Sequence, residues 1–332
     1  MKKNFLGKML FVLLVVTCIH IIPQSIAIAQ GPFPTKPVTI WIGFPPGGST
    51  DVLTRVLAEV AEKSLGQKII VINKPGAGGA VATSLLAKEK GDGYILASYP
   101  DTPVTRAPHL RDLDYDPFRD LSFIIRVGLY KNAIVVKADS PFKKWRDVVE
   151  WTKKNPGQLT YGNPGAGTTP HIIMSKIALI EGFTYKTVPF AGDTPNVSAL
   201  LGGHVMIAGG SSLSWRPHVE AKTIRVLLVF EKEGLDYAPD APTFNKVGYD
   251  FEPPTSLIIT APHGIPDPVR ETLEKAFLEG IKSKAFRDVA EKNELILREP
   301  LTGKTLNDFL KKCYDEYEQF IKDAGIYKME RK

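Results

Sequence analysis

Residues 38 to 44, Val-Thr-Ile-Trp-Ile-Gly-Phe, run straight into Pro45-Pro46-Gly47-Gly48 and then Ser49-Thr50-Asp51. A β-rich run that ends in a Pro/Gly turn and is followed by residues suited to an N-cap predicts strand, tight loop and helix. Val52, Leu53, Val56, Leu57, Val60, Ala61 and Leu65 give that helix one apolar stripe. The pattern recurs in strand Lys68 to Asn73, loop Gly76 to Gly79, helix Val81 to Lys88 and strand Tyr94 to Tyr99. Strands alternating with short helices imply βαβ units around a mostly parallel sheet that is buried on both faces.

From Phe123 to Lys137 the sequence stays extended for longer than one ordinary strand, which suits a segment leaving one sheet and entering another. A second alternating block follows. It comprises helix Trp145 to Lys154, strand Leu159 to Tyr161, helix Pro170 to Glu181, strand Tyr185 to Pro189, helix Asn196 to Leu201, strand Val205 to Ala208 and strand Ile224 to Phe230. Ser256 to Ala261 is strand-like again, and helical stretches Pro268 to Ser283 and Thr305 to Ala324 close the chain. The expected organisation is a domain I of residues 30–126 plus 255–332 and a domain II of residues 127–254.

With 332 residues, 43% apolar and 23% charged, the chain has the composition of a globular protein of about two domains, and disorder and collagen-like repeats are excluded. Lys2, Lys3 and Lys8, the apolar run Met9 to Ile22 and the small residues Ala27 and Ala29 read as a secretory signal peptide over residues 1–29. His20, Pro23 and Gln24 interrupt the run before it reaches the length of a membrane span. Without the leader the formal charge falls from +6 to +3, too weak to argue for nucleic acid. Cys18 lies in the leader, so Cys313 is the one thiol expected in the mature chain. Export without a disulfide points to a bacterial envelope and a periplasmic location.

Loops Pro45 to Asp51, Asn73 to Gly79, Asn163 to Thr168 and Phe190 to Pro195 all sit between a strand and a helix. Ligands of open α/β sheets collect beyond the carboxyl ends of the strands, where helix N-termini favour anions. Nucleotide motifs fail: Val81 and Pro170 stand where the dinucleotide fingerprint wants Gly, and Arg298 where a phosphate loop ending in Gly303-Lys304-Thr305 needs its first Gly. There is no esterase elbow, HExxH or paired-cysteine pattern, so no metal or cofactor is expected. His109, His204, His218 and His263 are expected in solvent, whereas His171, in a first helical turn, can donate to an anion.

At these loops the sequence resembles the extracytoplasmic solute receptors of tripartite tricarboxylate transporters, often called the Bug family. The resembling motifs are, in order, PPGGSTDVLTR (45–55), NKPGAGG (73–79), YDPFRDLSFI (115–124), NPGAGTTPH (163–171), VPFAGDTP (188–195), ALLGGHV (199–205), APDAPTFNKVGY (238–249) and APHGIPDPV (261–269). The resemblance implies a type II periplasmic-binding fold: two α/β domains, a ligand cleft and a hinge. It also implies a monomeric receptor that captures a small carboxylate and hands it to the large and small membrane subunits of a permease, without catalysis. By the same resemblance, Phe44, Gly47, Gly48 and Asp51 reach the cleft from the first domain. Asn163, Gly167, Thr168, His171, Phe190, Gly192 and Asp193 reach it from the second.

Asp193 departs from many relatives, which carry a small residue there. A carboxylate in an anion cleft would repel a dianion but can pair with an ammonium or accept from a hydroxyl; the plainer expectation is that it caps the helix beginning near Thr194. The expected capture uses backbone N–H groups together with the side chains of Thr168 or Asn163. Two rivals share the fold. One is a ligand sensor for a two-component system, which gene neighbourhood would separate from transport. The other is an enzyme using Asp51 or Asp193 as base with His171, against which stands the lack of a nucleophile motif.

Overall fold

The computed structural model describes residues 33–251 and 254–328. The leader expected over residues 1–29, with Cys18, lies outside the described residues. The quoted stretch forms β1 (Val38–Ile42), a loop and α1 (Ser49–Leu65). Leu53, Leu57, Ala58, Ala61 and Leu65 bury the stripe of α1, and Gly66, in the left-handed region at φ 70°, ends the helix with its N–H on the Glu62 carbonyl. β2 (Ile69–Asn73), α2 (Ala80–Leu86), β3 (Ile95–Pro100), the short α3 (Thr102–Thr105) and α4 (Ala107–Leu110), and β4 (Leu121–Leu129) follow.

The second block contains β5 (Asn132–Lys137), α5 (Trp145–Lys154), β6 (Thr160–Asn163), α6 (Thr169–Glu181), β7 (Lys186–Pro189), α7 (Asp193–Leu201), β8 (Ile207–Ser211), α8 (Ser212–Glu220) and β9 (Ile224–Val229). The chain then returns through β10 (Ser256–Pro262), α9 (Asp267–Lys282), α10 (Lys284–Lys292), β11 (Leu301–Thr302) and α11 (Gly303–Asp323).

The strands make two sheets, ordered β11-β4-β10-β3-β1-β2 and β7-β6-β8-β5-β9. Leaving out β11, the orders correspond strand for strand. In each sheet three neighbouring strands pair parallel, one antiparallel strand, β10 or β5, follows a crossing from the other sheet, and the strand beyond it, β4 or β9, runs the same way as the three. The sheets are therefore mixed rather than mostly parallel, and each with its helices forms one lobe. β5 shows why its sequence is apolar throughout: Ile134 and Val136 enter a core with Trp145, Ile173 and Phe230, while Ala133 and Val135 enter one with Leu200, Trp215 and Val226.

The chain passes between lobes at Tyr130 and Lys131, because β4 extends to Leu129. The expected boundary at residue 126 falls inside β4, where Arg126 stands opposite Ile258 and Leu301. Strand-forming residues run on both sides of that crossing, Lys131-Asn132 being the polar interruption between them, and no Pro/Gly turn stands there. Buried charge pins both crossing strands. The Lys131 ammonium meets Glu294 at 2.5 Å, and Arg106, fully buried, binds Asp101 at 2.9 Å and the Pro254 carbonyl at 2.7 Å. Tyr317 of α11 donates to the same carbonyl at 2.7 Å.

An apolar seam joins the lobes beside that return strand: Leu110, Cys313, Tyr317 and Ile321 of the first lobe pack on Ile172 of the second. His109 is buried here, against expectation, with Nε2 at 3.0 Å from the Tyr314 carbonyl. Burial lowers its pKa, and it is α11, distant in sequence, that covers it.

Candidate anion cleft

The carboxyl ends of β1, β6, β7 and β8 each lead into a helix, and the first residues of those helices meet between the lobes. Ser49 and Thr50 of α1, Thr169 and Pro170 of α6, Asp193 of α7 and the α8 N-cap Ser211 line one small cavity. Phe44, Thr102, Tyr130, Asn132, Thr168 and Thr255 complete most of its wall. The first turn of each helix carries backbone N–H groups with no intrahelical partner, and the four helix dipoles add positive potential at one point. No Lys or Arg is among the lining residues. A larger hollow of about 810 Å³, rimmed by Lys143, Lys144, Arg146, Lys222 and Arg225, lies beside the outer strand β9, away from these helix starts.

The cavity offers about 30 Å³, room for no more than a few water molecules, so the lobes stand closed. Side chains meet directly across it. The hydroxyls of Ser49 and Ser211 are in contact, Thr169 bonds Thr255 at 2.6 Å, and Thr194 donates to the Pro46 carbonyl at 3.3 Å. Gly192 allows the closest approach, since a Cβ there would lie 2.5 Å from Cδ of Pro45. Admission of a ligand of several heavy atoms therefore requires the lobes to separate.

Asp193 is the charged group of this cavity. Its Oδ2 accepts from the Ser211 hydroxyl at 2.8 Å and from Ser49 at 3.5 Å, and its Oδ1 from the Ser211 N–H at 3.4 Å. It is the first residue of α7, whose N-cap is Gly192, and it makes no cap hydrogen bond. The expectation of a capping aspartate is thus replaced by a carboxylate facing Ser211 and Ser49. Burial pushes its pKa above the ordinary value, opposed by hydrogen bonds from Ser211, Ser214 and Ser49. Gly210 makes the space, because a Cβ there would stand 2.6 Å from Asp193 Oδ1 and 2.7 Å from the Trp215 ring.

Of the other expected residues, Phe44 and Thr168 reach the cavity wall and Gly48 is the N-cap of α1. The remainder shape the loops. Asp51 accepts from the Gly47 N–H at 2.9 Å, Arg55 Nε at 2.9 Å and Asn73 Nδ2 at 2.8 Å, so it locks the Pro45–Gly48 loop onto β2. Asn163 donates to Thr187 at 2.8 Å and accepts from Gly165 N at 3.1 Å, so both ends of its amide are engaged in bracing the loop within the second lobe. His171 Nδ1 accepts from the Gly167 N–H at 3.1 Å, so the N–H of the neutral ring is on Nε2 and Nδ1 braces the loop. Burial, with Arg111 nearby, lowers its pKa to about 4. Phe190 packs in the second lobe, its N–H on the Asn163 carbonyl at 2.9 Å. Thr168 donates its hydroxyl to the Gly165 carbonyl at 2.7 Å, so its proton is committed to the loop.

Sequence reasoning missed Ser49, Thr50, Tyr130, Asn132, Thr169, Ser211 and Thr255. Ser49 and Thr50 were legible as helix-start residues. Ser211 follows Gly209-Gly210 at a strand end, the same signal as the recognised loops; Tyr130 has no local mark, whereas Thr255 follows Pro253-Pro254 at the return crossing expected there. Among the described residues no group of three or more His, Cys, Asp or Glu is placed to hold a metal ion.

The family model for the tripartite tricarboxylate transporter family receptor matches residues 53–326. A UPF0065 protein in the gbd 5′ region of Cupriavidus necator is 36% identical over 263 residues, covering 79% of this chain and 80% of the relative. The solved periplasmic binding protein BugD superposes with a TM-score of 0.84 at 26% identity, covering 89% of this chain and 99% of its own. An R. palustris protein solved with adipate gives a TM-score of 0.82 at 25% identity over the same shares. The two-lobed fold, the glycine loops and these matches together place the chain in the Bug-type family of tripartite tricarboxylate transporter receptors.

Proposed function

We propose that this chain is a periplasmic receptor that captures a small carboxylate between its lobes and delivers it to the membrane subunits of a tripartite permease. The observation that carries the reading is the meeting of the α1, α6, α7 and α8 starts at one cavity with no lining Lys or Arg. Such a site recognises a carboxylate through backbone N–H groups. A net ~1.5–3 kcal/mol per hydrogen bond to a charged group and about 0.3–2 kcal/mol per helix start approach the roughly 8 kcal/mol of micromolar binding with three or four bonds. The adipate of the R. palustris relative agrees with this ligand class.

Capture follows from the geometry. With the lobes apart, the first turn of α1 in the first lobe and those of α6, α7 and α8 in the second offer unpaired N–H groups; closure about Tyr130–Lys131 and Pro254–Thr255 then brings these three helix starts onto a ligand at α1. We assign domain I to residues 33–130 plus 255–328 and domain II to residues 131–254, the outgoing edge lying at Tyr130 instead of the expected 126. The apolar seam lies beside the Pro254 crossing, where rotation displaces atoms least, so it is compatible with opening. The test is mass spectrometry of the acid co-purified with the protein, then a thermal-shift screen of mono-, di-, tri- and aromatic carboxylates. A true ligand raises the midpoint progressively with concentration. Shifts by neutral or cationic solutes alone would contradict the reading.

A further inference from the structure

We propose that the cognate carboxylate also carries an ammonium group, and that Asp193 is the residue that selects it. This rests on the carboxylate reading above. Asp193 is the one acidic residue lining a cavity whose other walls are hydroxyls, an amide, prolines and aromatic rings. Among the described residues no Lys or Arg side chain hydrogen-bonds to it, and its acceptors are met by serine and backbone donors alone.

The carboxylate cannot turn away. It starts α7, Ser211 and Ser49 hold its oxygens, and the Trp215 ring stands across Gly210 from it. A plain acid sealed in this space would put a second negative charge beside the first, away from solvent, where like charges repel most strongly. A zwitterion removes that conflict. Its carboxylate takes the N–H groups at the starts of α1 and α6, and its ammonium faces the corner of α7 and α8. An ammonium has three donors and no acceptor. At that corner the Asp193 carboxylate and the hydroxyl oxygens of Ser49, Ser211 and Ser214 stand within hydrogen-bonding reach of one another, with Ser49 at 3.2 Å from Ser214. Burial without a cation also leaves the carboxyl with a raised pKa, the condition that a ligand ammonium would relieve.

The experiment compares ligands matched in carbon skeleton. The common L-amino acids, the corresponding acids with hydrogen in place of the ammonium, and those with hydroxyl in its place are screened by thermal shift on the wild-type protein, and hits are measured by calorimetry. At least one amino acid is expected to bind about 30-fold or more tighter than both of its analogues, the loss appropriate to one charge-assisted hydrogen bond. In Asp193→Asn that amino acid should weaken by about the same factor while the plain acid binds as well as before or better. Equal binding of the plain or hydroxy acid by wild type would overturn the ammonium assignment and leave the carboxylate reading standing. Failure of every acid and amino acid would overturn both. Should Asp193→Asn not fold, the wild-type comparison still decides.

Discussion

Gly210 decides whether the cleft can hold its carboxylate at all. With the Cβ position 2.6 Å from Asp193 Oδ1 and 2.7 Å from the Trp215 ring, Gly210→Ala should destabilise the protein by about 1–3 kcal/mol, as overpacking does. It should also abolish ligand binding, and chemical denaturation with calorimetry measures both; an unchanged affinity would show that Asp193 does not shape the site. Thr168 separates loop from ligand. Its hydroxyl proton is on the Gly165 carbonyl, so Thr168→Ala should lower the stability of the unliganded protein by ~1 kcal/mol. A variant with an intact melting temperature but poor binding would instead place that hydroxyl on the ligand. His171 supplies a pH signature. Its folded pKa of about 4 lies below the ordinary 6.5, so between those values the unfolded chain binds more protons. Stability is full above pH 6.5 and falls as the pH drops toward 4, and His171→Gln should flatten that part of the melting-temperature profile.

At the scale of elements, the strand, loop and helix of residues 38–65 were readable because apolar periodicity, Pro/Gly punctuation and N-cap residues agree there. Helix α5 was legible for the same reason, its limits being those the sequence suggests, Trp145–Lys154. Legibility stopped where elements meet. The break at Tyr130 lies within the long extended run Phe123 to Lys137 that no Pro/Gly turn divides, and the antiparallel insertion of β5 and β10 depends on partners far away in the chain. The glycine loops were recognisable, yet Asp51, Asn163 and His171 proved to brace them, because local sequence does not say which way a polar side chain turns. Arg106 is the strongest brace on a crossing strand. Arg106→Met would strand Asp101 as a buried unpaired charge and should cost about 3–5 kcal/mol in urea unfolding, whereas a loss under 1 kcal/mol would show that Pro254 is held by Tyr317 alone.

Across the whole molecule, two lobes of corresponding strand order present their helix starts to each other, and no short-period sequence repeat announces that symmetry. The closed lobes leave a cavity of about 30 Å³, so the proposed capture requires lobe separation, which would break hydroxyl contacts such as Thr169–Thr255. The central claim is that a carboxylate is what this cavity grips. Calorimetry of the co-purified acid against its carboxamide, equal in shape and uncharged, tests it most directly. The acid should bind with micromolar or better affinity and the amide at least about 100-fold more weakly, the loss expected when the charge of one or two strong hydrogen bonds is removed. Equal affinities would contradict the account.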